Sequence, residues 1–152
     1  MFTAAQERYL QGVAIPMRMA CTTQSGWPTV LSLWYLYEDG VLKCATQASA
    51  RVVGYLRNNH RCGFEIAGDL PPYCGVRGPG RATIDPASGV AVLERLLLRY
   101  LGNLDTPLAR RLLRRAGDEV AITIRPLKVY AWDFRSRMAQ SLPDLSAKLC
   151  PS

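Results

Sequence analysis

The step from an apolar strand into a helix across residues 46–51, Thr-Gln-Ala-Ser-Ala-Arg, constrains this chain most. Residues 41–45 form a β-rich run and residues 52–56 carry the apolar stripe of a helix, so the side-chain period changes within this short segment. A helix start presents unpaired N–H groups and the positive end of the peptide dipoles. Hydroxyls at Thr46 and Ser49 with the guanidinium of Arg51 would make a phosphate cradle there. The same residues also read as an ordinary helix cap beside a solvated arginine. The local sequence leaves both readings open.

A chain of 152 residues suits one domain over residues 1–152, with a helical arm at 1–16 and a tail at 136–152. No apolar run reaches the roughly 18 residues that a membrane span needs, and Glu7 and Arg8 interrupt the semi-apolar N-terminus. The expectation is a cytoplasmic protein with no membrane partner. Cys21, Cys44, Cys62, Cys74 and Cys150 contain no C-x-x-C pair and only His60 as a further soft ligand, so no metal site is expected. Cys21, Cys44 and Cys62 lie in apolar runs and read as small buried hydrophobes. The formal charge of +7 favours anionic partners. Arg110, Arg111, Arg114 and Arg115 read as a solvated helix face, because no nucleic-acid-binding signature accompanies them.

Along the chain, a helix over about 3–13 precedes Pro16. Residues 17–23, 29–37 and 41–45 then read as a three-strand meander with turns at Gly26 and Gly40. Residues 29–37 lack polar alternation, which predicts a strand covered on both faces, in a closed barrel or a dimer interface. A helix over about 49–59 leads to strands at 61–67 and 73–84, the latter interrupted by Gly78-Pro79-Gly80. Helices follow at 88–101 and after Thr106-Pro107, then closing strands at 119–125 and 127–134. This order predicts an α+β chain on a small antiparallel barrel.

With these elements placed, several segments resemble the pyridoxamine 5'-phosphate oxidase-like superfamily of flavin-binding split β-barrels. They are Arg18-Met19-Ala20-Cys21-Thr22-Thr23, the strand around Ser32, Leu33 and Trp34, Glu38-Asp39-Gly40, and Ala45-Thr46 followed by Ser49-Ala50-Arg51. Arg77-Gly78-Pro79-Gly80-Arg81-Ala82 and Tyr130-Ala131-Trp132-Asp133-Phe134 continue the likeness. The resemblance implies a barrel of six to seven antiparallel strands with flanking helices. It also implies a homodimer that holds two flavin mononucleotides (FMN) between its subunits. Arg18, Met19, Ala20, Cys21 and Thr22 would line the ring and ribityl edge, largely through backbone groups. Thr46, Ser49, Ala50 and Arg51 would hold the phosphate, with Ser32 and Ala45 beside the cofactor and Trp34 and Trp132 flanking its ring.

The chain departs from that pattern at Arg51, where the family has Lys, at Gly54 (Asn), His60 (Pro) and Gly75 (Gln). No Arg-x-His signature follows Trp132, which argues against oxidation of vitamin B6. The expected activity is oxidoreduction of a small-molecule substrate, with the chemistry carried by the flavin and catalytic side chains unassigned. Two alternatives stand beside it. One is a deazaflavin coenzyme, whose longer anionic tail would meet Arg57, Arg77 or Arg81; the other is a non-enzymatic flavin or haem carrier using His60.

Overall fold

Thr3 starts the first helix, α1 (Ala4–Gly12), with a capping box. Its hydroxyl accepts from the Gln6 N–H, and the Gln6 side chain accepts from the Thr3 N–H. The computed structural model describes residues 2–141 and 149–151, so 142–148 of the expected tail lie outside the described residues. The helical arm packs onto the core: Tyr9 and Leu10 are buried, and the Tyr9 hydroxyl donates to the Ile66 carbonyl at 3.3 Å.

Five strands form the first half of the chain: β1 (Met17–Thr22), β2 (Pro28–Leu33), β3 (Leu36–Glu38), β4 (Val41–Gln47) and β5 (Arg61–Ala67). The helix α2 (Arg51–Asn58) lies between the last two. Next come β6 (Cys74–Asp85), α3 (Gly89–Leu101) and α4 (Pro107–Leu113). The chain then runs through β7 (Glu119–Pro126), β8 (Tyr130–Asp133) and α5 (Arg135–Met138). Seven strands follow one antiparallel path, β2-β1-β5-β6-β7-β4-β3, and β8 adds to β6. The two ends of this path, β2 and β3, are joined by Trp34 and Tyr35 alone. Three Cα steps reach at most about 11 Å, so the sheet has to curl until its first and last strands meet. The result is a barrel split between β2 and β3.

That split corrects the expected meander. Residues 29–37 are not one strand: β2 pairs with β1 and β3 with β4. Between them the Tyr35 N–H donates to the Tyr100 hydroxyl at 3.3 Å, and the Tyr35 hydroxyl donates to the carbonyls of Leu10 and Val13 at 2.9 and 3.2 Å. Side-chain partners thus replace the ladder, and both residues are good strand formers that give no local signal of the break. Nor is β2 covered on both faces within the protomer, since Val30 is 65% exposed.

Alternation elsewhere follows the burial rule for a sheet with one inward face. Met17, Met19 and Cys21 of β1 point inward with Leu42 and Cys44 of β4, Phe64 and Ile66 of β5, and Ile122 and Ile124 of β7. Val52, Val53 and Leu56 of α2 close the barrel end. Helix α3 lies outside, with Val92 and Leu96 against Leu36 and Ala121, and Leu93 and Leu97 against Ala109 near α4. The strand β6 continues through Gly78-Pro79-Gly80. Pro79 falls between residues 74–77, which pair with β8, and 80–85, which pair with β7, so its missing N–H breaks neither ladder. Cys21, Cys44 and Cys62 are free and buried, whereas Cys74 and Cys150 form a disulfide that the sequence reading did not foresee. Among the described residues no helix is long and apolar enough to cross a membrane.

Candidate functional site

Strand β4 runs two residues further than the apolar pattern suggested and takes Thr46 and Gln47 into its pairing with β7. A turn over 48–50 follows, pinned by the Ala48 N–H donating to the Asp118 carbonyl at 2.8 Å and the Ala50 N–H to the Gln47 carbonyl at 2.9 Å. Ala50 is the N-cap of α2 and supplies no side-chain hydrogen bond. The reading of this corner as an ordinary Ser or Thr cap is therefore not what the structure shows. The Ser49 hydroxyl and the Arg51 guanidinium make no hydrogen bond or ion pair among the described residues, and both residues are exposed. The first N–H groups of a helix have no intrahelical acceptor, so this end of α2 presents donors to solvent.

These groups border a concavity of about 390 Å³ lined by Ala48, Ser49, Ala50 and Arg51 with Gly54 and Arg57. Nothing lies within 4 Å of where a Cβ at Gly54 would stand, so the glycine leaves the mouth of the corner open. Arg57 stands about 1.7 turns beyond Arg51 and brings a second guanidinium to the same hollow, a juxtaposition the sequence reading did not make. The donor set suits a phosphate: one hydroxyl, helix N–H groups, and guanidinium forks able to bind two oxygens at once.

Thr46 lines a different concavity, of about 310 Å³, together with Ser32, Trp34, Ala45 and Glu119. It occupies the split, with the free edge of β2 on one side and α3 and α4 on the other. Glu119 is the buried charged residue here, 6% exposed, and it accepts a hydrogen bond from the Gln47 amide at 3.1 Å. Sequence reasoning passed over Glu119 because a lone acid at a strand start carries no motif. Trp34 stacks on Tyr100 and so forms one wall of this hollow while anchoring α3.

Arg18 and Ala20 sit on the outward face of β1 and border a third, largely apolar concavity of about 490 Å³ with Val30, Gly63, Pro79 and Tyr130. Arg18 is held by ion pairs to Glu65 and Asp69 and donates to the Ala67 carbonyl at 3.3 Å. Met19 and Cys21 turn into the core, which leaves only their backbones for a ligand. Residues 18–20 pair on both sides, with β2 and β5, while Cys21 and Thr22 pair only with β2, so a free backbone edge begins at Cys21. Trp132 lies on β8 opposite Gly75, with the Arg77 guanidinium 5.2 Å from its ring centroid. A Cβ at Gly75 would stand 2.6 Å from the Ile66 carbonyl oxygen and 2.9 Å from the Trp132 ring, so glycine here is what lets the tryptophan approach. The expected site residues thus divide among these three hollows of one protomer, except Met19, Cys21 and Thr22, which line none of them, and Trp132, which lies on a separate strand.

Burial raises the pKa of the Cys21 thiol. Burial and, secondarily, Cys21 push Cys62 up to about 11, and burial raises Cys44 further. All three are protonated near neutral pH and are not poised as nucleophiles. Among the described residues no cluster of His, Cys, Asp and Glu is placed to hold a metal ion.

No family model matches the chain, and no curated protein matches it in sequence. Solved structures do. A conserved hypothetical protein of Mycobacterium tuberculosis superposes with a TM-score of 0.74 at 23% identity, covering 97% of this chain and 93% of its own. An F420 reductase gives 0.68 at 22% identity, covering 81% of this chain and 94% of its own. A protein of Listeria innocua assigned as a pyridoxamine 5'-phosphate oxidase gives 0.61 at 15%, covering 81% and 91%. At these identities the likeness shows the fold: the chain has the split β-barrel of these structures.

Proposed function

We propose that the protein binds a flavin-type cofactor, FMN, and serves as a flavin-dependent oxidoreductase acting on a small molecule. The observation that carries this reading is the corner at the start of α2, where Ser49, Arg51 and Arg57 border one hollow and the side chains of Ser49 and Arg51 have no partner among the described residues. In this reading Ser49 and Arg51 hold the phosphate, and the free backbone edge at Cys21 and Thr22 meets the ring and ribityl chain. When bound, the flavin supplies the hydride or electron chemistry, and the chain's residues orient it and limit access of water.

The rest of the site needs a second copy of the chain. Trp132 and the apolar hollow around Ala20, Val30 and Gly63 lie on the outward sheet face, where Val30 and Tyr130 are 65% and 48% exposed. A homodimer closing over the part of this face around Val30 and Tyr130 would cover them and bring the partner's aromatic strand toward the cofactor.

Arg57 favours one alternative, a deazaflavin coenzyme with a longer anionic tail, because it adds a second cation to the same corner. Absorbance of the purified protein separates the two. Bound flavin gives two bands in the visible and near-ultraviolet, deazaflavin one main band, and mass analysis of the released chromophore identifies it. A protein that stays colourless and takes up neither compound on titration would reject both.

A further inference from the structure

Three arginines stand side by side on the outward face of the sheet. Arg61 of β5 is directly opposite Arg81 of β6, and Arg81 is directly opposite Arg125 of β7. All three are exposed, while their chain neighbours Cys62, Gly80, Ala82, Ile124 and Pro126 are buried, so the guanidinium groups share one face. None of the three has an ion pair or side-chain hydrogen bond among the described residues. Like charges directly opposite on neighbouring strands destabilise a sheet, and here two such pairs share Arg81. Solvent screens the three charges, and an anion laid across them would relieve the repulsion that remains.

We propose that Arg61, Arg81 and Arg125 form a binding site for a ligand with linked phosphoryl groups, separate from the corner at Arg51. Strands lie about 4.8 Å apart, so the row is about 10 Å long and presents its charges at intervals suited to a short condensed-phosphate chain. Guanidinium groups bind phosphate oxygens bidentately, which matches such a chain better than a single anion. The row is also bounded. Two residues along the strands in one direction lie Gly63 and Pro79, and beyond them Glu65 with Arg77; in the other direction lie Thr83 and Thr123, and then Asp85. Those carboxylates interrupt the positive strip on both sides, which disfavours a nucleic acid running along the strands.

Calorimetric titration of the full chain with inorganic tripolyphosphate, and in parallel with orthophosphate, tests this. Tripolyphosphate should bind at least about 10-fold tighter than orthophosphate, and Arg81→Gln should weaken it about 10-fold or more, with a shallower salt dependence. The loss caused by Arg81→Gln should be the same in an Arg51→Ala background, which keeps this site distinct from the proposed cofactor corner. Without anion, Arg81→Gln should raise the melting temperature, because it removes both like-charge pairs. Equal affinity for the two phosphates, or loss with Arg51→Ala and none with Arg81→Gln, would overturn the proposal. So would a short single-stranded oligonucleotide that binds tighter than tripolyphosphate with the same Arg81 dependence, or a change of oligomeric state as the sole effect of Arg81→Gln.

Discussion

Trp34 lies parallel to Tyr100, their ring centroids 4.8 Å apart and their planes inclined by 6°. The Tyr100 hydroxyl accepts from the Tyr35 N–H at 3.3 Å and donates to the Ile15 carbonyl at 2.9 Å. This pair ties α3 to the two residues that carry the chain across the split, so the helical insertion and the barrel opening are built as one unit. Tyr100→Phe keeps the stack and removes both hydrogen bonds. Urea unfolding should show a loss of about 1 to 3 kcal/mol. Trp34→Ala should cost at least as much, because it also removes the ring contact.

Arg99 acts as the cap for α1. Its guanidinium donates to the carbonyls of Gln11, Leu10 and Val13 at 2.8, 2.8 and 2.7 Å, where the last turn of the helix leaves its carbonyls unpaired. Arg99→Ala should lower stability by about 3 kcal/mol, and hydrogen exchange should quicken in residues 4–12 before the sheet. Arg99→Lys should recover only part, since an ammonium cannot fork across three carbonyls.

Much of this architecture is legible in the chain, for reasons that differ by element. The inward set Met17, Met19 and Cys21 follows from strict alternation, and Thr106 with Pro107 marks the start of α4 by a cap and a preset φ. The break at Trp34 and Tyr35 leaves no such trace, because it is imposed by Tyr100, far away in sequence. The pairing of Cys74 with Cys150 is likewise invisible, their separation of 76 residues being fixed only by the fold. In the candidate site, Ser49 and Arg51 stand together as their spacing suggested. Thr46 does not join them, since β4 extends to Gln47 and places it at the neighbouring hollow. Arg57, named from its charge alone, is joined to Ser49 and Arg51 only by its position in space, and Glu119 could be recognised only there.

Alkaline conditions should weaken the fold through its buried phenols. Burial, and secondarily the charge of Glu65, raises Tyr9 to about 12; burial and the bond to Glu7 raise Tyr37 to about 12. Unfolded tyrosine ionises near 10, so above that pH the unfolded state binds fewer protons than the folded one. The contribution is complete below pH 10 and is lost as pH rises toward 12. Stability measured by urea should be insensitive to these groups from pH 7 to 9 and fall from 10 upward, less steeply in Tyr37→Phe.

Gly75 marks a place where the sheet tolerates no side chain. Its Cβ would meet the Ile66 carbonyl oxygen at 2.6 Å and the Ala67 side chain at 2.7 Å. Gly75→Gln should therefore cost about 1 to 3 kcal/mol and change the near-ultraviolet dichroism of Trp132 as its ring is pushed away.

The proposed phosphate corner is tested most directly by comparing FMN with riboflavin, which differ only in the phosphate. The wild-type protein should bind FMN more tightly by about 10- to 100-fold, the effect of one or more charge-assisted hydrogen bonds. The difference should shrink sharply in Arg51→Ala and further when Ser49→Ala is added, leaving only what Arg57 and the helix N–H groups supply. Equal affinity for the two compounds in the wild-type protein, or a preference for FMN undiminished by both substitutions in a folded variant, would contradict the account.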